Sequence, residues 1–66
     1  MFAVFTGYDY RLIWINPYQV TRIYEDGEMS SIIVTTDGGT LRVKVGAEAA
    51  VKRLVDAKRE GISDEV

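Results

Sequence analysis

Neither cysteine nor histidine occurs in the 66 residues, and there is a single proline. Without cysteine no disulfide can brace the fold, and without both residue types the common transition-metal sites lose their usual ligands. No stretch approaches the roughly 18 apolar residues that read as a membrane-spanning helix. A strong charge of either sign is missing too: eight Lys and Arg face ten Asp and Glu, for a formal −2. Three of those acids (Glu60, Asp64 and Glu65) fall in the last seven residues, so the remainder holds eight bases against seven acids, or +1. A near-neutral body exerts no general pull on nucleic acid or an anionic membrane. The opening MFAVF has neither the basic start nor the apolar length of a secretory signal, so a cytoplasmic location is expected.

What the chain does have is apolar density, at 47% of residues. Its length makes one small domain, which buries only about 60% of the surface it exposes when unfolded. With disulfides and metals set aside, a partner subunit is the remaining source of extra burial.

Five short β-forming stretches are separated by turn chemistry. FAVFT at 2–6 precedes a turn at Gly7-Tyr8-Asp9, and Tyr10 to Ile15 forms the next strand, closed by Asn16-Pro17. A third strand runs from about Val20 to Tyr24 after a bulge at Tyr18-Gln19, and EDGE at 25–28 turns on Gly27. Ser30 to Thr36 and Thr40 to Val45 form a hairpin about Asp37-Gly38-Gly39. After Gly46 the period changes, with Ala47, Ala50, Val51, Leu54 and Val55 at helical spacing and Glu48 set to pair with Lys52. The helix, about 13 residues long, is expected to stop at Gly61 with Lys58 and Arg59 in its last turn.

The fold class expected is therefore α+β: a five-stranded antiparallel β-meander with one C-terminal α-helix. A partly closed, SH3-like or Sm-like barrel is the competing form. Residues 1–62 make the single domain, and 63–66 a frayed acidic tail.

One helix covers one face of a sheet. The fifth strand obeys apolar-in, polar-out, with Leu41, Val43 and Val45 against Thr40, Arg42 and Lys44. The second does not: Leu12, Ile13, Trp14 and Ile15 load both faces, and Ile32, Ile33 and Val34 do the same. A homo-oligomer is expected, with Ile13, Ile15, Ile33 and Trp14 at the interface.

No enzyme is expected. The acids gather at turns, Ser30 and Ser31 have no partner base, EDGE lacks the spacing of a calcium loop, and DGGT reads as a hairpin before it reads as an anion nest. Hence no catalytic residue, no metal and no cofactor is assigned. Binding has more behind it. Arg11, Arg22, Arg42 and Lys44 are strand residues, and Tyr8, Tyr10, Trp14, Tyr18 and Tyr24 lie among them in sequence. Arginine presents a rigid fork to phosphate, and aromatic faces stack on bases or guanidinium groups. The ligand set expected is Arg11, Arg22, Arg42, Tyr10, Trp14 and Tyr18, holding a nucleotide-like anion between subunits. The duller account of the same residues pairs the arginines with turn acids and leaves the tyrosines as edge cover. Single-stranded nucleic acid uses similar parts, but the missing positive charge argues against it. A protein partner suits them as well, because Tyr, Trp and Arg dominate interface hot spots.

The stretches FTGYDYRLIWIN, VTRIYE, IIVTTDGGTLRVKV and EAAVKRL follow one another in a telling order. From Gly7 to Leu54 that order resembles a small bacterial family linked to flagellar assembly and swarming motility. The resemblance implies a β-meander with a terminal helix and a protein–protein adaptor role. Tyr8-Asp9 stands where that family typically has an Asn-Gly style turn, and Pro17 where an Ala or acid is usual. In size and inferred assembly the chain also resembles phage proteins that sequester signalling nucleotides.

Overall fold

A computed structural model describes residues 1–63. The chain runs β1 (Ala3–Thr6), β2 (Leu12–Ile15), a 3-10 turn (Pro17–Gln19), β3 (Val20–Glu25), β4 (Ser31–Thr35), β5 (Thr40–Val43) and α1 (Ala47–Ser63). The α+β class holds, but the single meander does not. β1 and β2 form a two-stranded antiparallel sheet, and β3, β4 and β5 form a separate three-stranded one. Nor do the strands close a barrel. The sheets share an isolated bridge, Gly7 to Val43, beside which the Lys44 N–H donates to the Thr6 carbonyl at 2.9 Å.

The break between sheets falls at Asn16-Pro17. Asn16 Oδ1 accepts the Tyr18 N–H at 3.0 Å, and its carbonyl accepts the Gln19 N–H at 2.9 Å. Pro17 takes the first position of the turn, where a missing N–H costs nothing and its fixed φ suits the geometry. The 3-10 turn leads the chain away from β2, so β3 does not form the tight hairpin a meander requires. The expected bulge at Tyr18-Gln19 is displaced to Thr21: the register slips between Val20 and Arg22, and the Thr21 hydroxyl donates to the Val34 carbonyl at 3.2 Å.

The β1–β2 connection is also longer than expected, and the second strand begins at Leu12 instead of Tyr10. The Tyr10 N–H donates to the Gly7 carbonyl at 3.0 Å, and the Gly7 N–H to the Arg11 carbonyl at 2.9 Å. Tyr10 sits at φ 65, the left-handed residue that closes a three-residue hairpin loop.

A single cluster fills the interior. Ala3, Phe5 and Ile15 come from the first sheet, Ile33 and Val43 from the second, and Ala50, Leu54 and Ala57 from the helix. Ile13, Val20, Ile23, Leu41 and Val45 pack around it. This corrects the expected interface. Ile15 and Ile33 are buried inside the chain's own core and Ile13 packs against it, so of the four only Trp14 is exposed. Strand parity gives the reason. Pairing of Ala3 with Ile15 and Phe5 with Ile13 turns those residues inward, which leaves Val4, Trp14 and Leu12 outside.

The helix starts beneath the 26–30 loop, where a Cβ on Gly46 would come within 2.6 Å of the Glu28 carbonyl oxygen. It buries Ala50, Leu54 and Ala57, whereas Val51 and Val55, expected inside, are exposed. It also runs through Gly61 to Ser63, so Lys58 and Arg59 lie before its last turn. Of the expected frayed tail, Ser63 is helical and 64–66 lie outside the described residues. Lys52 reaches forward to Asp56 at 3.7 Å, in place of the expected pair with Glu48. No helix among the described residues is long and apolar enough to cross a membrane.

Candidate functional site: a cation and tyrosine surface

The register of the three-stranded sheet fixes its outward face. Arg22, Val34 and Thr40 form one cross-strand row, and Tyr24, Ile32 and Arg42 the next. Arg22 Nη1 donates to the Tyr24 hydroxyl at 3.1 Å along the same strand. At the β5 end this face meets the β1–β2 turn. The Arg42 guanidinium carbon lies 4.5 Å from the centroid of the Tyr8 ring. Lys44 Nζ lies 4.5 Å from that ring and 4.7 Å from the ring of Tyr10. Each such contact is worth about 0.5–1 kcal/mol when exposed. Together they hold two cations and two tyrosines in one place.

Arg42 is also tied from the other side. Asp26 Oδ2 accepts from its Nε at 2.7 Å and from the Ser30 hydroxyl at 2.8 Å. The Ser30 hydroxyl, and after it Arg42, hold the Asp26 carboxyl below the usual carboxylate range, and Asp26 in turn raises Arg42. Arg11 reaches Asp9 at 3.7 Å within the β1–β2 turn. The duller expectation, arginines paired with turn acids, thus describes Arg11 and Arg42 correctly. Counting Arg11, Arg22, Arg42 and Lys44 against Asp9 and Asp26, this surface still carries four positive charges to two negative, on a chain whose total is −2.

Of the six residues expected to bind ligand, Arg42 and Tyr10 belong to this one cluster, linked through Tyr8 and Lys44, and Arg11 lies in the turn beside Tyr10. Arg22 lies on the same sheet face, against Tyr24. Trp14 and Tyr18 are elsewhere: Trp14 faces outward from β2, and Tyr18 sits in the 3-10 turn with Lys58 Nζ 5.1 Å from its ring centre. Tyr8 and Lys44, absent from that set, stand at the centre of the cluster. For Lys44 the signal was its alternation with Arg42 across the inward-facing Val43. Tyr8 was noted among the aromatic residues near the arginines, but nothing in the sequence gave its direction, because a turn residue's direction depends on the turn's geometry.

The other candidates resolve into structure. Asp37 Oδ1 accepts the Gly39 N–H at 2.9 Å and the Thr35 hydroxyl, so the turn's own carboxylate occupies the space an anion would take. The Ser31 hydroxyl donates to the Val45 carbonyl at 2.8 Å. Among the described residues no group of three or more Asp and Glu is placed to hold a metal ion. In comparison with known proteins, no family model, no curated protein and no solved structure matches the chain.

Proposed function

We propose that this chain is a non-enzymatic capture module, a homo-oligomer that takes a flat anionic ligand of the nucleotide class on the Tyr8, Tyr10, Arg42 and Lys44 cluster. Arg11 stands in the same turn as the two tyrosines, and Arg22 lies across the same sheet face on β3. The observation that carries this reading is Tyr10. Its φ of 65 belongs to the left-handed region, where a residue with a Cβ pays about 1–2 kcal/mol and glycine is the default. The residue is 76% exposed, so burial does not offset that cost. Strain retained beneath an exposed aromatic ring points to use of the ring. Lys44 stands over it and Arg42 over its neighbour, a stacking surface beside the charges a phosphate needs.

The test is a thermal-shift and calorimetric screen with nucleoside mono- and triphosphates and cyclic dinucleotides, run on the natural chain and on Tyr10→Gly. A ligand at a hundred times its dissociation constant adds about 2.7 kcal/mol to stability. Tyr10→Gly is expected to be more stable than the natural chain without ligand, by up to about 1 kcal/mol, and to bind at least tenfold more weakly. A flat response across the screen rejects the proposal.

One observation favours a second reading, a protein–protein adaptor of the motility type: Phe2, Val4, Leu12 and Trp14 are all exposed at the first sheet. Capture of one defined protein partner by the natural chain, lost in Trp14→Ser, together with no response to nucleotides, supports it instead.

A further inference from the structure

We infer that β2 is a dimerisation edge, which pairs antiparallel with β2 of a second copy about a two-fold axis near Ile13. This goes beyond the ligand reading, since it names the contact by which copies meet and needs no ligand.

The direction of the backbone groups comes first. The Gly7 N–H donates to the Arg11 carbonyl, and the same register continues as Phe5 with Ile13 and Ala3 with Ile15. In an antiparallel ladder, residues that exchange hydrogen bonds alternate with residues that do not. Arg11, Ile13 and Ile15 therefore direct their main-chain groups to β1, and Leu12 and Trp14 direct theirs away from it. The far side of β1 agrees with this phase. There the Thr6 carbonyl accepts from the Lys44 N–H at 2.9 Å, and the Val4 carbonyl from Arg53 Nη1 at 3.1 Å. Nothing comparable meets β2: among the described residues no other strand pairs with it.

Sheet edges are ordinarily guarded by a charge, a proline or a bulge. LIWI contains none of these, since Arg11 precedes the strand and Pro17 follows it. Its outward side chains are apolar and bare, Leu12 at 57% and Trp14 at 59% exposure, with Val4 and Phe2 beside them. The chain meanwhile is short of interior. Among the described residues the hydrophobic core numbers eight, of which Ala3, Ala50 and Ala57 are alanines, while the one tryptophan lies outside. A chain of this length with so thin a core gains most from burial against another subunit.

The strand is its own complement. With the axis at Ile13, Leu12 falls opposite Trp14 of the other copy, and Trp14 opposite its Leu12. Both residues of each pair have free main-chain groups, so each pair exchanges two hydrogen bonds. Both side chains of each pair also lie on the same outer face, where an aromatic ring and an aliphatic chain pack well across strands. Ile13, half-buried in one chain, is covered by its counterpart. A register displaced by one residue forfeits both properties. The result is a four-stranded sheet whose outer face gathers Val4, Leu12 and Trp14 of both copies.

The test is sedimentation equilibrium on the full 66-residue chain without nucleotide, so that its outcome is independent of the ligand screen. The natural chain is expected to be dimeric at tens of micromolar. A chemically synthesised chain carrying an N-methyl group on the Trp14 amide loses one outward donor and keeps the β1 ladder, so its circular dichroism stays unchanged. Its dimer dissociation constant is expected to rise by about thirtyfold or more, two donors being lost per dimer. Leu12→Lys, which puts a charge on the same edge, is expected to be monomeric as well. A natural chain that is monomeric at about 100 µM overturns the inference. So does an assembly that both changes leave intact.

Discussion

The outward residues of the two-stranded sheet are Val4, Thr6, Leu12 and Trp14, and those of the three-stranded sheet are Arg22, Tyr24, Ile32, Val34, Thr40 and Arg42. Both sets contain apolar residues, yet Ile32 and Val34 are half-covered whereas Leu12 and Trp14 are bare. The difference lies in neighbours. Ile32 and Val34 stand on a central strand, with a neighbour on each side across the sheet, Tyr24 and Arg42 for Ile32 and Arg22 and Thr40 for Val34. Leu12 and Trp14 have β1 on one side and, among the described residues, no strand on the other. An apolar residue pointing outward is thus sheltered by its place in the sheet as much as by a covering layer.

The sharpest way to break this contrast is to truncate one residue of each kind. Ile33, fully buried where the second sheet meets the helix, should cost about 2–5 kcal/mol on Ile33→Ala in urea unfolding. Leu12→Ala, measured at a concentration low enough to keep the chain monomeric, should stay within about 0.5 kcal/mol of the natural chain. Equal losses would mean that the outer face of the hairpin is part of the monomer's core.

Two glycines give a smaller contrast. In Gly46→Ala the new methyl meets a backbone oxygen at 2.6 Å, and a cost of about 1–3 kcal/mol is expected. In Gly7→Ala it meets side-chain atoms instead of backbone, Ile13 Cδ1 at 2.9 Å and Asp9 Oδ1 at 3.1 Å, so the loss should be the lesser of the two. Urea midpoints of the two variants decide the order.

The smallest effect is one of pH, and it belongs to the second sheet. The Ser30 hydroxyl and Arg42 depress the Asp26 carboxyl, and the Thr35 hydroxyl and the Gly39 amide depress that of Asp37. A carboxyl lowered on folding adds its stability in full above the unfolded value, about 3.9, and loses it as pH falls through the folded one. The urea midpoint should therefore drop as pH is lowered below about 4. In Asp26→Asn/Asp37→Asn that acid limb should be shallower.

Much of this architecture was legible in the residues. Leu41 and Val43 against Arg42 gave the fifth strand its faces, Gly27 and Gly38 marked turns that do use positive φ, and the change of period after Gly46 marked the helix. The second strand was a different case. With Leu12, Ile13, Trp14 and Ile15 in succession, no pattern distinguishes the buried side, and bulk suggests Trp14 wrongly. Only the pairing with Ala3 and Phe5 decides it. The division into two sheets was hidden because Asn16-Pro17 announces that a strand ends without saying where the chain goes next. The cluster of cations and tyrosines was half visible: Arg42 and Lys44 follow from alternation, whereas Tyr8 and Tyr10 reach them through a loop closed by a left-handed tyrosine that propensity disfavours.

The guanidinium that Arg53 lends to the Val4 carbonyl gives the helix a second duty. Main-chain stitching between the two sheets is confined to the neighbourhood of Gly7 and Val43, so α1, which lies against β1, β3 and β4 alike, acts as a splint across a nearly open seam. Cooperativity then rests on the splint. A chain cut before Arg53 would keep every strand it needs and still come apart in two stages, the hairpin melting first.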